Sequence, residues 1–185
     1  MTHKGLIFFA LSLLVMACGS SDLSLVNQVK RFEPEWAYVS EKVTFIDRNL
    51  RITHRRYDED LRQVEPLIGR ADSLSRPALH KLTSQYQEMA RERDDIEKRF
   101  EEQKKQFVAQ VKEFNDWETR LMKGRISTGS ANRQFAEFRT THQAVKNEMD
   151  KLYEELTQNL DRHNALIRQL AEGVNLYTSL AIDYE

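Results

Sequence analysis

Apolar residues recur along this chain at alternating intervals of three and four. That spacing lays them on one stripe of a helix slightly underwound toward about 3.5 residues per turn. The first stripe runs Leu25, Val29, Phe32, Trp36, Val39, Val43, Ile46, Leu50, Thr53, Tyr57, Asp60, Val64, and ten of these twelve positions are apolar or aromatic. It predicts a helix over about 23–65. Pro34 lies off the stripe and removes a backbone donor, so a kink or a restart near residue 34 is expected. Pro66, Gly69 and Pro77 then bracket a connection in which Ser73 and Ser75 offer capping chemistry, and Pro77 suits the first turn of a following helix.

A second stripe, from Leu79 through Tyr86, Met89, Arg93, Ile96, Phe100, Phe107, Phe114 and Trp117 to Leu121, predicts a helix over about 77–122. Opposite charges four apart (Arg91–Asp95, Asp94–Lys98, Glu101–Lys105) read as a solvated face; such pairs add only about 0.2–0.5 kcal/mol each. Gly124 suits a helix C-terminus, and Ser127, Thr128 and Ser130 suit the next N-cap. The third stripe runs from Phe135 through Leu152, Leu156 and Leu166 to Tyr184, predicting a helix over about 130–184. Leu160, Ile167, Val174 and Ala181 widen it beyond what a two-stranded seam needs, which points to a three-helix interior.

The fold expected is therefore all-α: an elongated antiparallel three-helix bundle, or coiled coil, over residues 23–185. Folding about residues 71–72 sets Trp36 near Phe107, and folding about 126–127 sets Phe100 near Tyr153. The topology resembles spectrin-type rods in shape alone, without signature residues. Helices pairing across chains would leave a similar pattern, so a homo-oligomer stays open at this level.

The chain opens with Lys4 and an apolar run of about 12 residues from Leu6 to Ala17, the length of a signal-peptide core and too short for a membrane span of roughly 20. Val15-Met16-Ala17-Cys18 resembles the bacterial lipobox, with Met16 the one departure, and Gly19-Ser20-Ser21 continues as lipoprotein tethers do. The resemblance implies a signal peptide over 1–17, a lipidated Cys18, a tether over 18–22 and attachment to a membrane through acyl chains. Gly19, where Asp would imply retention at the inner membrane, implies an outer-membrane lipoprotein facing the periplasm in a two-membrane host. Cys18 is the only cysteine, so no disulfide within the chain can form. Without residues 1–17 the chain carries 27 basic and 29 acidic groups, a balance that gives no reason to expect nucleic acid.

Candidate chemistry is sparse. His142 and His163 share the third stripe, 21 residues and roughly 30 Å apart, too far to share an ion within one chain. With Asn159 they read as polar core positions that fix register. The residues three before the four histidines past the signal segment are Arg51, Pro77, Arg139 and Leu160, so the Glu-x-x-His of di-iron bundles is missing. His-Glu-x-x-His, Gly-x-Ser-x-Gly and P-loop patterns are missing too. The chain ends in Glu185, not the lysine through which a small outer-membrane lipoprotein is joined to peptidoglycan. The expectation is a non-enzymatic envelope lipoprotein without cofactor, metal or catalytic residues, acting as scaffold, spacer or adaptor for protein partners. The alternative is a ligand-binding lipoprotein with a pocket between helices, opened by His142, Asn159 and His163.

Overall fold

The computed structural model describes residues 23–174. The expected signal peptide, the tether with Cys18 and the stretch of the third helix beyond Val174 lie outside the described residues. Three helices follow one another: α1 (Leu23–Ile68), α2 (Arg76–Met122) and α3 (Thr128–Gly173). They contain 46, 47 and 46 residues, so each is about 70 Å long at 1.5 Å per residue.

The helices pack as an all-α bundle in which α1 and α3 run the same way and α2 runs against both. Trp36 of α1 meets Phe107 of α2 at 5.8 Å between ring centroids, the pairing that the stripe spacing predicts. Along α2 and α3, Trp117 stacks on Phe135 at 5.8 Å, and ion pairs join Arg99 to Glu155 and Glu92 to Arg162, all consistent with a fold about residues 126–127. Between α1 and α3, Phe32 meets Phe135 at 5.6 Å and Tyr57 meets His163 at 4.2 Å. Lys104–Asp47 at 2.5 Å, Lys146–Glu35 at 2.6 Å and Lys42–Asp150 at 3.1 Å cross between helices at the rim. Partly exposed pairs like these contribute at most about 1 kcal/mol each and steer pairing more than they hold the fold.

α1 differs from expectation at both prolines. It does not restart at Pro34, and it runs through Pro66 to Ile68. Pro34 and Lys30, whose carbonyl loses its partner, are both exposed, so water can satisfy that carbonyl. Past Pro66, Ile68 is 3% exposed, and its burial rewards the extra turn. The α1–α2 connection is organised by Asp72 and not by the serines. Its Oδ1 accepts the N–H groups of Leu74 and Ser75, both at 2.8 Å, and its Oδ2 accepts the Ser75 hydroxyl at 2.8 Å. These bonds favour the carboxylate and hold the Asp72 carboxyl below its ordinary range.

The α2–α3 connection closes with a paired C-terminal cap. Arg125 N–H reaches the Arg120 carbonyl at 2.9 Å, and Gly124 N–H the Leu121 carbonyl at 3.0 Å. That geometry needs a left-handed residue, and Gly124 has φ 64°. At the far end of α3, a Cβ on Gly173 would stand 2.5 Å from Leu79 Cδ2, so its missing side chain is what lets α2 close on α3 there.

The core is filled along the rod in two apolar clusters. The longer runs from Leu25, Leu121 and Ala131 to Leu50, Ile96 and Leu160. The shorter gathers Val64, Ile68, Leu79, Met89 and Ile167. Polar side chains lie where one gives way to the other.

Candidate functional site

The residues with most chemical potential form a buried layer across all three helices. Tyr57 and Asp60 come from α1, Tyr86 and Arg93 from α2, Asn159 and His163 from α3, and none is more than 5% exposed. Each sits on its helix's stripe, so periodicity alone turns it inward. Other buried polar residues satisfy themselves locally: Thr53 donates to the Asn49 carbonyl at 2.9 Å, and Thr83 to the Leu79 carbonyl at 3.0 Å.

The layer's bonds run between helices. Tyr57 donates its hydroxyl to Asn159 Oδ1 at 2.8 Å, and Asn159 Nδ2 donates to the Met89 carbonyl at 3.0 Å. One amide thus ties α3 to both neighbours. The Tyr86 hydroxyl lies 3.2 Å from the Tyr57 carbonyl and 2.9 Å from His163 Nε2, and the same Nε2 lies 3.2 Å from Asp60 Oδ2. The Tyr86 hydroxyl and His163 Nε2 share a bond whose direction follows the imidazole tautomer, while Asp60 Oδ2 and His163 Nδ1 make no hydrogen bond of good geometry. Burial pushes the Tyr86 phenol far above its ordinary range, with the Asp60 charge adding to the effect, so it remains a donor at any ordinary pH.

Arg93 closes the layer. Its Nε and Nη2 donate to Asp94 Oδ1 at 3.1 and 2.5 Å, its guanidinium lies 4.7 Å from the Tyr57 ring centre, and its Nη1 has no partner. The six side chains resemble an acid–base relay in composition, but all of them are buried. The groove described between α2 and α3 lies elsewhere, lined by Gln110, Trp117, Arg120, Gln134 and Phe138. General acid–base work needs a reacting atom within hydrogen-bond reach, and here every donor faces another part of the bundle. What the arrangement can do is fix which residues stand opposite one another.

His142 meets different surroundings. It is 1% exposed, its ring 4.2 Å from Trp36 and 5.0 Å from Phe32 between centroids, and neither nitrogen has a hydrogen-bond partner of good geometry. Burial holds it below its ordinary value, while the Glu35 carbonyl and carboxylate pull weakly the other way and Lys146 adds to the lowering.

The three polar positions singled out in the sequence, His142, Asn159 and His163, are thus all buried. The structure brings Asn159 and His163 into one layer and leaves His142 in another. Tyr57, Asp60, Tyr86 and Arg93 are the members that sequence reading missed as partners; the available signal was two charged residues, Asp60 and Arg93, on otherwise apolar stripes. A separate grouping on the surface joins α1 to α2: His54, Asp94 and Glu97 bring ligand-type atoms within 4.8 Å of one another, with His54 and Asp94 exposed. The pair His54 Nδ1–Glu97 Oε2 is loose, at 4.0 Å, and Asp94 is already engaged by Arg93.

No family model, curated protein or solved structure matches this chain. The fold and the layer define its class from their own geometry: an all-α three-helix bundle whose helices are locked together by one buried polar network.

Proposed function

We propose that this chain is a non-enzymatic, membrane-anchored envelope lipoprotein whose helical bundle acts as a scaffold, spacer or adaptor for protein partners. The observation that carries the reading is the combination of a lipobox-like Val15-Met16-Ala17-Cys18 with a bundle about 70 Å long whose buried polar layer bonds helix to helix. Acyl chains on Cys18 would hold the molecule at a membrane, since two or more chains anchor stably where one does not. No described helix is long and apolar enough to cross a membrane, which is consistent with anchoring by lipid. If the host has two membranes, Gly19 favours the outer one, with the bundle in the periplasm.

Mass spectrometry of the N-terminal peptide from native membranes tests the anchor. The expected result is a chain beginning at Cys18 and carrying a diacylglyceryl group. A Cys18→Ser variant should leave the membrane fraction, and one that fractionates as the parent does would overturn the reading. Crosslinking in cells tests the adaptor role: a reproducible protein partner along the rod supports it, and recovery of the monomer alone counts against it.

A further inference from the structure

The two ends of the bundle differ in charge. At one end α1 begins and α2 turns into α3. There the α2–α3 turn, residues 118–133, carries four basic groups (Arg120, Lys123, Arg125, Arg133) and one acidic group, Glu118. Lys30 and Arg31 of α1 lie deeper, level with Glu113, Asp116 and Glu137, and add no excess. At the other end, residues 60–81 and 168–173 carry five basic and four acidic groups. All four cations of the turn are exposed, and none has an ion pair or side-chain hydrogen bond among the described residues. Glu118 is half-buried, and burial, with Glu33 nearby, pushes its carboxyl toward the neutral form. The α2–α3 turn also presents Met122, 55% exposed, at its tip.

We infer that this cationic end seats on the anionic phospholipid headgroups of the bilayer that holds the anchor. The inference rests on the proposed lipid tether for its biological setting, but its physical content is independent of acylation. Topology puts the start of α1 and the basic turn at the same end, since Phe32 packs on Phe114 and Phe135. Four residues, 19–22, separate Cys18 from α1, and the five peptide links from Cys18 to Leu23 span at most roughly 18 Å. An anchored bundle must therefore hold this end close to the membrane, where surface charge is felt over about 10 Å. An overall charge near neutral makes the local excess matter: the molecule as a whole has no reason to approach an anionic surface, and this end does. Seating by its end would stand the rod away from the membrane and leave its flanks free for partners.

The test uses the full mature chain, residues 18–185, with Cys18→Ser so that no acyl chain contributes. Co-sedimentation is measured with phosphatidylcholine vesicles, with and without about a third phosphatidylglycerol. The expected result is binding to the anionic vesicles only, lost at about 0.5 M salt. A variant with Arg120, Lys123, Arg125 and Arg133 all changed to Gln should bind roughly 10²–10³-fold more weakly, at about fivefold per basic residue. A matched variant at the other end (Arg62, Arg70, Lys81 and Arg168 to Gln) should bind as the parent does. Circular dichroism checks that both variants remain folded. No preference for anionic vesicles, equal loss in both variants, or tighter binding to duplex DNA than to the vesicles would each overturn the inference. Failure of the anchor reading would show in the mass of the N-terminal peptide, while vesicle binding by this unacylated chain would stand.

Discussion

His142 and His163 occupy equivalent places three heptads apart, and the bundle treats them in opposite ways. The equivalence extends to all three helices: Trp36 and Tyr57, Phe107 and Tyr86, His142 and His163 are each 21 residues apart. In the upper layer Trp36 and Phe32 lie against an imidazole that is given shape and no hydrogen bond, with Phe107 and Phe114 packed on Trp36. In the lower layer tyrosines replace the tryptophan and phenylalanine, and their two hydroxyls, with Asn159 and His163, bond across the helices. One layer stabilises by buried area. The other adds direction, because an amide bonded to two helices is satisfied in one register only.

The largest effect should come from the aromatic layer. Trp36→Ala removes a ring in contact with Phe32, Phe107, Phe114 and His142, and should destabilise by about 3–5 kcal/mol, measured as a shift in urea midpoint at unchanged slope. Asn159→Leu comes next. It keeps volume but removes the acceptor of the Tyr57 hydroxyl and the second bond to the Met89 carbonyl, for a loss of about 1–3 kcal/mol. It should also broaden the amide NMR spectrum as neighbouring registers become populated, an effect that Trp36→Ala should lack. If the leucine variant were as stable as the parent and gave equally sharp spectra, the contrast between area and direction would be wrong. Tyr57→Phe sharpens the point, since it removes a single hydroxyl and leaves the ring stacked on His163. A loss of about 1–2 kcal/mol is expected in the same urea titration.

Much of this architecture was legible in the sequence because it depends on spacing. Most stripe positions from Leu25 to Leu170 are buried where the three-four rhythm puts them, with Phe32, Val43 and Leu166 half-buried, and Trp36 faces Phe107 because two straight helices about a short turn admit little else. What spacing could not give was chemistry that arises only after the helices pair. Asp60 and Arg93 stood out as charges on apolar stripes, but their neighbours Tyr86, His163 and Tyr57 come from other helices. The Asp72 cap was hidden for a local reason: Ser73 and Ser75 look like better caps, and only the turn's backbone path shows an aspartate three residues upstream reaching the Ser75 N–H. Of the kink or restart expected at Pro34, the restart does not occur, because water can serve an exposed helix face that has lost a hydrogen bond. The cationic end was equally hidden, since only the topology puts the basic α2–α3 turn beside the start of α1.

The smallest effect is read at His142 alone, by pH. The His142 imidazole titrates below its ordinary value of about 6.5 in the folded chain, through burial first. As pH falls through that ordinary value the unfolded chain takes up the proton and the folded chain resists it. The unfolded state then binds more protons, so stability falls with falling pH until the folded value is passed. His142→Leu keeps the approximate volume and removes a ring that satisfies no hydrogen bond, so it should be neutral or stabilising by about 1 kcal/mol near neutral pH. Its advantage over the parent should widen between about pH 7.5 and 5.5, where the parent alone pays for a charge in an aromatic cage. Taking the difference between the two proteins cancels the carboxylates and His163, which both retain. Urea midpoints at the two pH values suffice, and a gap that stays constant would show that the aromatic layer accepts the proton without penalty and that the two layers are electrostatically alike.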